Sequence, residues 1–207
     1  MKLFNPIDVC ISPDRALEAT DNPRHRAMIL NYRRHAMLEV AGRWEEIVNT
    51  DLLVDEPAYR LFYLGQSLVL TGRDQVASFY ATLDGSGGTV FGPLEERMAV
   101  ADWGLAIESY FGHHLRGHQL HAMGIEADDP DGFYQFEHWI SSFWPYSEDG
   151  RLIGEHIYED AGSRVLHKID EADFITPEKA AAALNPLIDT PVSDGVADRL
   201  LEPSGLS

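Results

Sequence analysis

The spacing of apolar residues predicts helices in the first quarter of the chain. After a turn signal that ends at Pro23, apolar side chains recur at every third or fourth position through residues 24–41, which is the period of an amphipathic helix. Gly42 interrupts that period. Trp44 then opens a second, shorter helical segment with polar residues on its other side. We therefore predict two consecutive helices before the first strand.

The rest of the chain predicts mainly strands. A third helix is indicated after Gly72, and four strands follow it, at residues 97–101, 105–115, 133–146 and 151–160. The tetrapeptide from Ser147 to Gly150 predicts a tight hairpin between the last two strands. A final helix is predicted from Thr176 to Leu184, ended by Asn185 and Pro186. Helices that precede a run of antiparallel strands predict an α+β fold, with the helices closing a cavity on one face of a curved sheet.

The charge of the chain narrows the choice of partners. The sequence has 207 residues, with 34 acidic and 16 basic side chains and a formal net charge of −18. A surface this acidic repels the phosphates of nucleic acids and anionic membranes, so we expect small molecules or other protein subunits as partners. Because no apolar run is long enough to cross a bilayer and the first residues lack a signal-peptide pattern, we expect a cytoplasmic protein.

Cofactor and metal sites are not predicted. Cys10 is the only cysteine, which excludes an intramolecular disulfide and a multi-cysteine zinc site. Four histidines lie close together in the sequence, at His113, His114, His118 and His121. A helix would bring the last three together, but nearby glycines and the strand pattern argue against a helix, and we predict no metal. The sequence also lacks a phosphate-binding loop, a dinucleotide fingerprint and a nucleophile elbow.

Five short motifs, in order, carry a resemblance to known proteins. They lie at residues 32–42, 53–57, 72–80, 111–117 and 149–160. Together they resemble the SnoaL-like and ketosteroid-isomerase-like families of the nuclear-transport-factor-two-like superfamily. The resemblance implies a cone-shaped, curved antiparallel sheet wrapped around a pocket that N-terminal helices close. It implies a leader at residues 1–22, a SnoaL-like pocket domain at 23–162 and a C-terminal helical extension at 163–207.

The resemblance also implies a class of chemistry. Enzymes of these families generally work without cofactors, by placing an acid and a base around an apolar substrate. We favour a lyase that acts on an aromatic apolar molecule, by dehydration or by retro-aldol loss of formaldehyde, for example from a lignin-derived diaryl compound. The alternatives are an isomerase or polyketide-type cyclase in the same pocket, and a non-enzymatic ligand-binding or interaction module. Relatives often form dimers through the outer face of the sheet, so we expect a homodimer.

The first catalytic candidates lie at the start of the sheet and on the first helix. Glu56, or its neighbour Asp55, precedes Pro57 where the isomerase pattern places its general base, and an apolar surrounding would raise the pKa of such a carboxyl. His35 stands where isomerases carry an oxyanion-stabilising tyrosine, and a histidine there could donate a hydrogen bond or move a proton.

Further candidates follow on the strands. Dehydratase relatives hold a catalytic histidine near His113 and His114, and only one of two neighbouring strand residues can face the cavity; the resemblance favours His113. On the closing strand, Ile157 stands where epoxide-hydrolase relatives carry an acid, which argues against epoxide hydrolysis. We predict that aromatic and polar side chains around the pocket bind substrate, namely Tyr32, Trp44, Tyr59, Trp139, His156 and Tyr158.

Overall fold

The N-terminal quarter of the chain is helical, as predicted. In a computed structural model, which describes residues 1–190, a 3-10 turn at Pro6–Cys10 leads into α1 (Ile11–Glu18), α2 (Pro23–Val40) and α3 (Glu45–Val48). The side-chain oxygen of Asn22 accepts hydrogen bonds from the backbone N–H groups of the next turn, and Pro23 occupies the first helical position of α2. The turn signal seen in the sequence is therefore the N-terminal cap of α2.

A six-stranded curved sheet makes up the other layer, which confirms the α+β class. Its strands are β1 (Ala58–Tyr63), β2 (Gln66–Thr71), β3 (Phe91–Ala101), β4 (Gly104–Arg116), β5 (Phe133–Pro145) and β6 (His156–Lys168), in the order β2-β1-β6-β5-β4-β3. All neighbours are antiparallel except β1 and β6, which pair in parallel. The helices α4 (Arg73–Gly85), α5 (Gly117–Ala122) and α6 (Pro177–Ile188) and a 3-10 turn at Glu171–Asp173 complete the described chain.

The last strand begins later than predicted. Leu152 forms single bridges to both Leu53 and Tyr146, so the chain first crosses between two neighbours and joins the sheet only at His156. The predicted turn at residues 147–150 is present, because Tyr146 and Leu152 pair antiparallel across it. The prediction that the last strand starts at residue 151 is wrong. Gly154 lies in this crossing, where an added Cβ would stand only 1.8 Å from the carbonyl oxygen of Ala58, closer than any side chain permits. This close approach brings β6 alongside β1.

Both ends of the described chain pack into the central core. Phe4 and Val9 before the predicted domain, and Leu184 and Ile188 after it, belong to the same cluster of buried apolar side chains. The predicted boundary at residue 162 falls inside β6. The last helix continues to Ile188 with Pro186 inside it, so this proline does not end the helix. Residues 191–207 of the predicted extension lie outside the described residues.

No helix within residues 1–190 is both long enough and apolar enough to span a membrane. The outer face of the sheet carries exposed aromatic side chains, including Phe143 and Tyr158 with ring centroids 6.2 Å apart. That a second copy of the chain covers this face stays a prediction.

Candidate active site

An apolar cavity of about 680 Å³ lies between the helices and the inner face of the sheet. This volume is typical of sites that enclose a small organic ligand. The lining residues from α5, from the end of α4 and from the β1–β2 turn are largely exposed, so the cavity opens there. We call this opening the mouth; its exposed residues include Gln66, Ser86 and His118.

Two glutamates are among the residues that line the cavity. Glu39 from the last turn of α2 and Glu155 just before β6 both line the cavity. The Glu155 carboxylate accepts a hydrogen bond of 2.9 Å from the Tyr80 hydroxyl and lies 3.0 Å from Nε2 of His35. We call these four residues the carboxyl end. Its two carboxyl groups share one apolar space, which makes their charges interdependent.

The electrostatics of the carboxyl end favour a neutral acid beside a carboxylate. Burial raises the pKa of Glu39 well above its ordinary value, and the negative charge of Glu155 raises this pKa further. Within residues 1–190, the Glu39 carboxyl has no hydrogen bond or ion pair. Its side chain is partly exposed because it faces the cavity. Glu39 therefore presents a carboxylic acid to anything bound in the cavity.

Three buried side chains hold Glu155 from behind. His35 Nε2 lies 2.8 Å from the Tyr80 hydroxyl, and the Tyr59 hydroxyl lies 3.3 Å from the same atom. All three rings are inaccessible to solvent, and His35 packs edge-on against Trp144 at 5.0 Å. Nδ1 of His35 is buried without a partner, and Nε2 is the ring nitrogen that faces Tyr80 and Glu155. His35 thus contacts the site through Glu155 and does not line the cavity.

A second polar group lies nearer the mouth. His113 on β4 lines the cavity, and its Nε2 is 3.0 Å from Nε2 of His138 on β5. Nδ1 of His138 is 3.0 Å from the buried carboxylate of Glu159, which Arg164 binds through two nitrogens at 2.6 and 2.7 Å. The Tyr63 hydroxyl lies 3.3 Å from His113 and 3.4 Å from His138. We call His113, His138, Glu159 and Tyr63 the histidine end.

The histidine end has one consistent pattern of protons. Burial lowers the pKa of His113 well below its ordinary value, and it also lowers the pKa of His138, so both rings are neutral near pH 7. A neutral His138 that donates from Nδ1 to Glu159 has a bare Nε2, which accepts the Nε2 proton of His113. His113 then keeps a bare Nδ1. Within residues 1–190 this Nδ1 makes no hydrogen bond. It is not among the fully buried polar atoms, so it is accessible from the cavity.

The two ends are separate places in one elongated cavity. Tyr59 interacts with Glu155 at the carboxyl end, whereas Tyr63 contacts both rings of the histidine end. These tyrosines lie on the same face of β1, four residues apart, a span of about 13 Å at the rise of a strand. Glu155 and Glu159 have the same sequence spacing. A single small functional group therefore cannot touch both ends.

The structure corrects the expected position of the base. Asp55 and Glu56 are exposed at the turn before β1, and neither lines the cavity. Asp55 instead forms an ion pair of 3.2 Å with Arg151. The turn resembles that of isomerases in sequence, but its carboxylates face solvent.

The two neighbouring histidines of β4 take opposite faces. His113 faces the cavity, whereas Nε2 of His114 lies 3.1 Å from Gln135 and Nδ1 accepts a hydrogen bond from the backbone of Ile175 on the outer face. Burial lowers the pKa of His114 as well. The C-terminal segment, with Phe174 stacked on the ring at 5.5 Å, covers His114.

Of the residues predicted to bind substrate, Tyr32 lines the cavity, and its hydroxyl donates a hydrogen bond of 2.9 Å to Glu96. Tyr59 is buried behind the cavity wall. The others are not cavity-lining: Trp44 packs against the core from α3's start, and Trp139, His156 and Tyr158 are on the outer face of the sheet.

Sequence reasoning missed Glu39, a carboxyl that lines the cavity. Glu39 stands seven residues after Tyr32 on the same face of α2, and a glutamate at such an otherwise apolar helical position was the available signal. No lysine or arginine is among the cavity-lining residues of the described chain. Likewise, residues 1–190 contain no group of three or more histidine, cysteine or acidic side chains placed to hold a metal ion.

Comparisons with known proteins connect this architecture to solved structures. No protein-family model matches the sequence, and no curated protein matches it either. The fold is similar to an NTF2-like protein from Anabaena variabilis ATCC 29413, with a TM-score of 0.51 and 8% identity over 69% of this chain and 93% of that one. It is also similar to a putative SnoaL-like polyketide cyclase from Shewanella putrefaciens CN-32, with a TM-score of 0.50 and 10% identity over 79% and 93%. The chain therefore has the nuclear-transport-factor-two-like fold that its sequence motifs predicted.

Proposed function

We propose that this protein is a cofactor-independent lyase that acts on an aromatic, apolar small molecule by general acid/base catalysis. The reaction is loss of water, or retro-aldol loss of formaldehyde, as from a lignin-derived diaryl compound. One observation carries the proposal: Glu39 and Glu155 line the same apolar cavity, and the pKa of Glu39 is raised well above its ordinary value. An acid beside a carboxylate supplies both partners of an elimination.

In a dehydration, the Glu155 carboxylate removes a proton from carbon while the Glu39 acid donates its proton to the leaving hydroxyl. Water departs, a carbon–carbon double bond forms, and the proton on Glu155 then returns to Glu39. In a retro-aldol cleavage, Glu155 removes the hydroxyl proton, the carbon–carbon bond breaks as formaldehyde forms, and Glu39 protonates the carbon left behind. His35 and Tyr80 orient Glu155 in either reaction.

An isomerase or cyclase is the second candidate, because the same two glutamates could move a proton between two carbons of a carbonyl compound. The fold neighbour described as a putative polyketide cyclase makes this alternative worth testing. A non-enzymatic binding module is less well supported, since its ionisable groups would be paired or turned outward, whereas the Glu39 carboxyl faces the cavity without a partner in the described chain.

The test is a screen of hydroxylated one-ring and two-ring aromatic compounds, followed by mass analysis of each product. Release of water or formaldehyde supports the lyase, and a product of unchanged mass supports the isomerase or cyclase. With a turned-over compound in hand, Glu155→Gln should lower kcat by about 100-fold or more, because the amide cannot accept the proton.

Glu56→Gln is the matched control, since this exposed glutamate does not line the cavity. It should leave kcat unchanged. Equal activity of wild type and Glu155→Gln would overturn the assignment of the base, and absence of any product across the screen would leave the binding module as the better reading of the cavity.

A further inference from the structure

The histidine end has the geometry of a binding site for a neutral hydroxyl group. His113 faces the cavity with Nδ1 bare, because Nε2 is engaged by His138 and the Glu159 carboxylate fixes the tautomer of His138. Arg164 and the backbone N–H of Leu64 hold Glu159 in turn. A bare imidazole nitrogen held this firmly is a hydrogen-bond acceptor aimed at whatever lies in the cavity.

The charges around the cavity select against anions. The described lining residues include two glutamates but no lysine or arginine that could pair with a carboxylate or phosphate. The histidines cannot supply the missing charge near pH 7, since burial lowers the pKa of His113 well below its ordinary value. An anionic ligand would lose its hydration without gaining a counter-ion, which disfavours its binding.

The length of the cavity sets the size of the ligand. The two polar ends are about 13 Å apart along β1, and the wall between them is apolar, with Leu61, Phe111 and Ile140 among its members. One benzene ring with its substituents is too short to reach both ends. A molecule of two linked rings spans this distance and keeps its apolar middle against the apolar wall.

From these three observations we propose that the histidine end is a second, distal binding site in the cavity. It accepts a hydrogen bond from a hydroxyl at the far end of an uncharged, elongated two-ring molecule, while the carboxyl end engages the other terminus. The inference rests on the proposed function for what happens at the carboxyl end. The distal site itself performs no chemistry, because His113 lies too far from Glu39 and Glu155 to share their reaction.

Binding of rigid, unreactive probes tests the proposal. We would measure Kd at pH 7 for trans-stilbene, 4,4′-dihydroxystilbene and stilbene-4,4′-dicarboxylate, by fluorescence and by calorimetry. The diol should bind about tenfold more tightly than the hydrocarbon, and the dicarboxylate about 100-fold more weakly than the diol. A dicarboxylate that binds as tightly as the diol would overturn the proposal.

The variant that isolates the distal site is His113→Phe. Its ring fits among the neighbouring rings of Phe91 and Phe136, at 5.1 and 5.9 Å, and the Tyr63 hydroxyl can still donate to His138. It should weaken the diol about tenfold and leave the hydrocarbon unchanged. His156→Phe, on the outer face of the sheet, is the matched control and should change neither.

An unchanged preference for the diol in His113→Phe would also overturn the distal site. The two proposals fail separately, because these probes carry no leaving group. Selective diol binding without turnover of any compound would contradict the proposed lyase and support the distal site. Turnover that depends on Glu155, combined with probe Kd values that are the same for wild type and His113→Phe, would support the lyase and contradict the distal site.

Discussion

The two ends of the cavity use the same kinds of side chain in opposite orders. At the carboxyl end, Glu155 faces the cavity and His35 supports it from behind. At the histidine end, His113 faces the cavity, and a carboxylate, Glu159, supports it through His138. Reversing the order changes what the ligand meets: an acidic pair at the carboxyl end and a neutral acceptor at the histidine end.

This difference shows that the chemistry of a glutamate–histidine pair depends on which of the two side chains faces the cavity. Glu159 is paired with Arg164, so its negative charge is stabilised and the pKa of its carboxyl is lowered. Within residues 1–190 Glu39 has no such cation, and its pKa is raised. The pairing with Arg164 is therefore what distinguishes Glu159, a carboxylate that orients a histidine, from Glu39, a carboxyl that can donate a proton.

Removing that arginine should have the largest effect on stability. Arg164→Met leaves the buried Glu159 with only Leu64 N–H and His138 as donors, and we expect the free energy of unfolding to fall by about 2 kcal/mol. Urea denaturation measures it. Arg97→Met, which breaks an exposed pair with Glu95, is the control and should change little. Equal effects of the two would show that Arg164 does not stabilise a buried charge.

Acid should destabilise the histidine end. The folded pKa of His113 lies below the value of 6.5 for a free histidine, so the unfolded chain binds more protons and stability is lost as pH falls below about 6.5. Between pH 6.5 and 5 this histidine should account for lost stability of up to about 1.5 kcal/mol, the limit for a ring that stays neutral in the folded protein. His113→Phe should lose that much less over the same range in urea titrations. Parallel curves for the two proteins would contradict the neutral ring.

The carboxyl end should respond to pH in the opposite direction. Because the folded pKa of Glu39 is raised, its contribution is fully present below the unfolded value of 4.5 and is lost as pH rises. Glu39→Gln should therefore be more stable than wild type by a margin that grows from pH 5 to pH 8. Thermal unfolding measures the margin. A margin that stays constant from pH 5 to pH 8 would show that the pKa of Glu39 is not raised.

Much of the fold could be predicted from the sequence, because the spacing of apolar residues within each segment determines whether it forms a helix or a strand. The cap at Asn22, the apolar face of α2 and the alternation along β4 and β5 each depend on neighbours within a few residues. The start of β6 could not be predicted in this way. It depends on the bridges of Leu152 to Leu53 and Tyr146, and the first of these contacts joins segments that are distant in the sequence.

The site was predictable only in part, for a related reason. Alternation showed that one of His113 and His114 faces the cavity, but which one depends on the side of the sheet that the helices cover. The turn at Asp55 and Glu56 matched a motif whose side chains point outward here. Glu39 was overlooked because a single glutamate in a helix resembles any solvated position until the opposite wall is known.

The parallel pairing of β1 with β6 has a consequence for synthesis of the chain. Arg60 aligns with His156, so the β1–β2 hairpin leaves the ribosome nearly a hundred residues before its other neighbour in the sheet exists. Contacts this distant in the sequence form slowly, and an unpaired strand edge can associate with other chains meanwhile. The cavity, both of whose ends draw residues from the segment around β6, is therefore among the last features to form in the newly made protein.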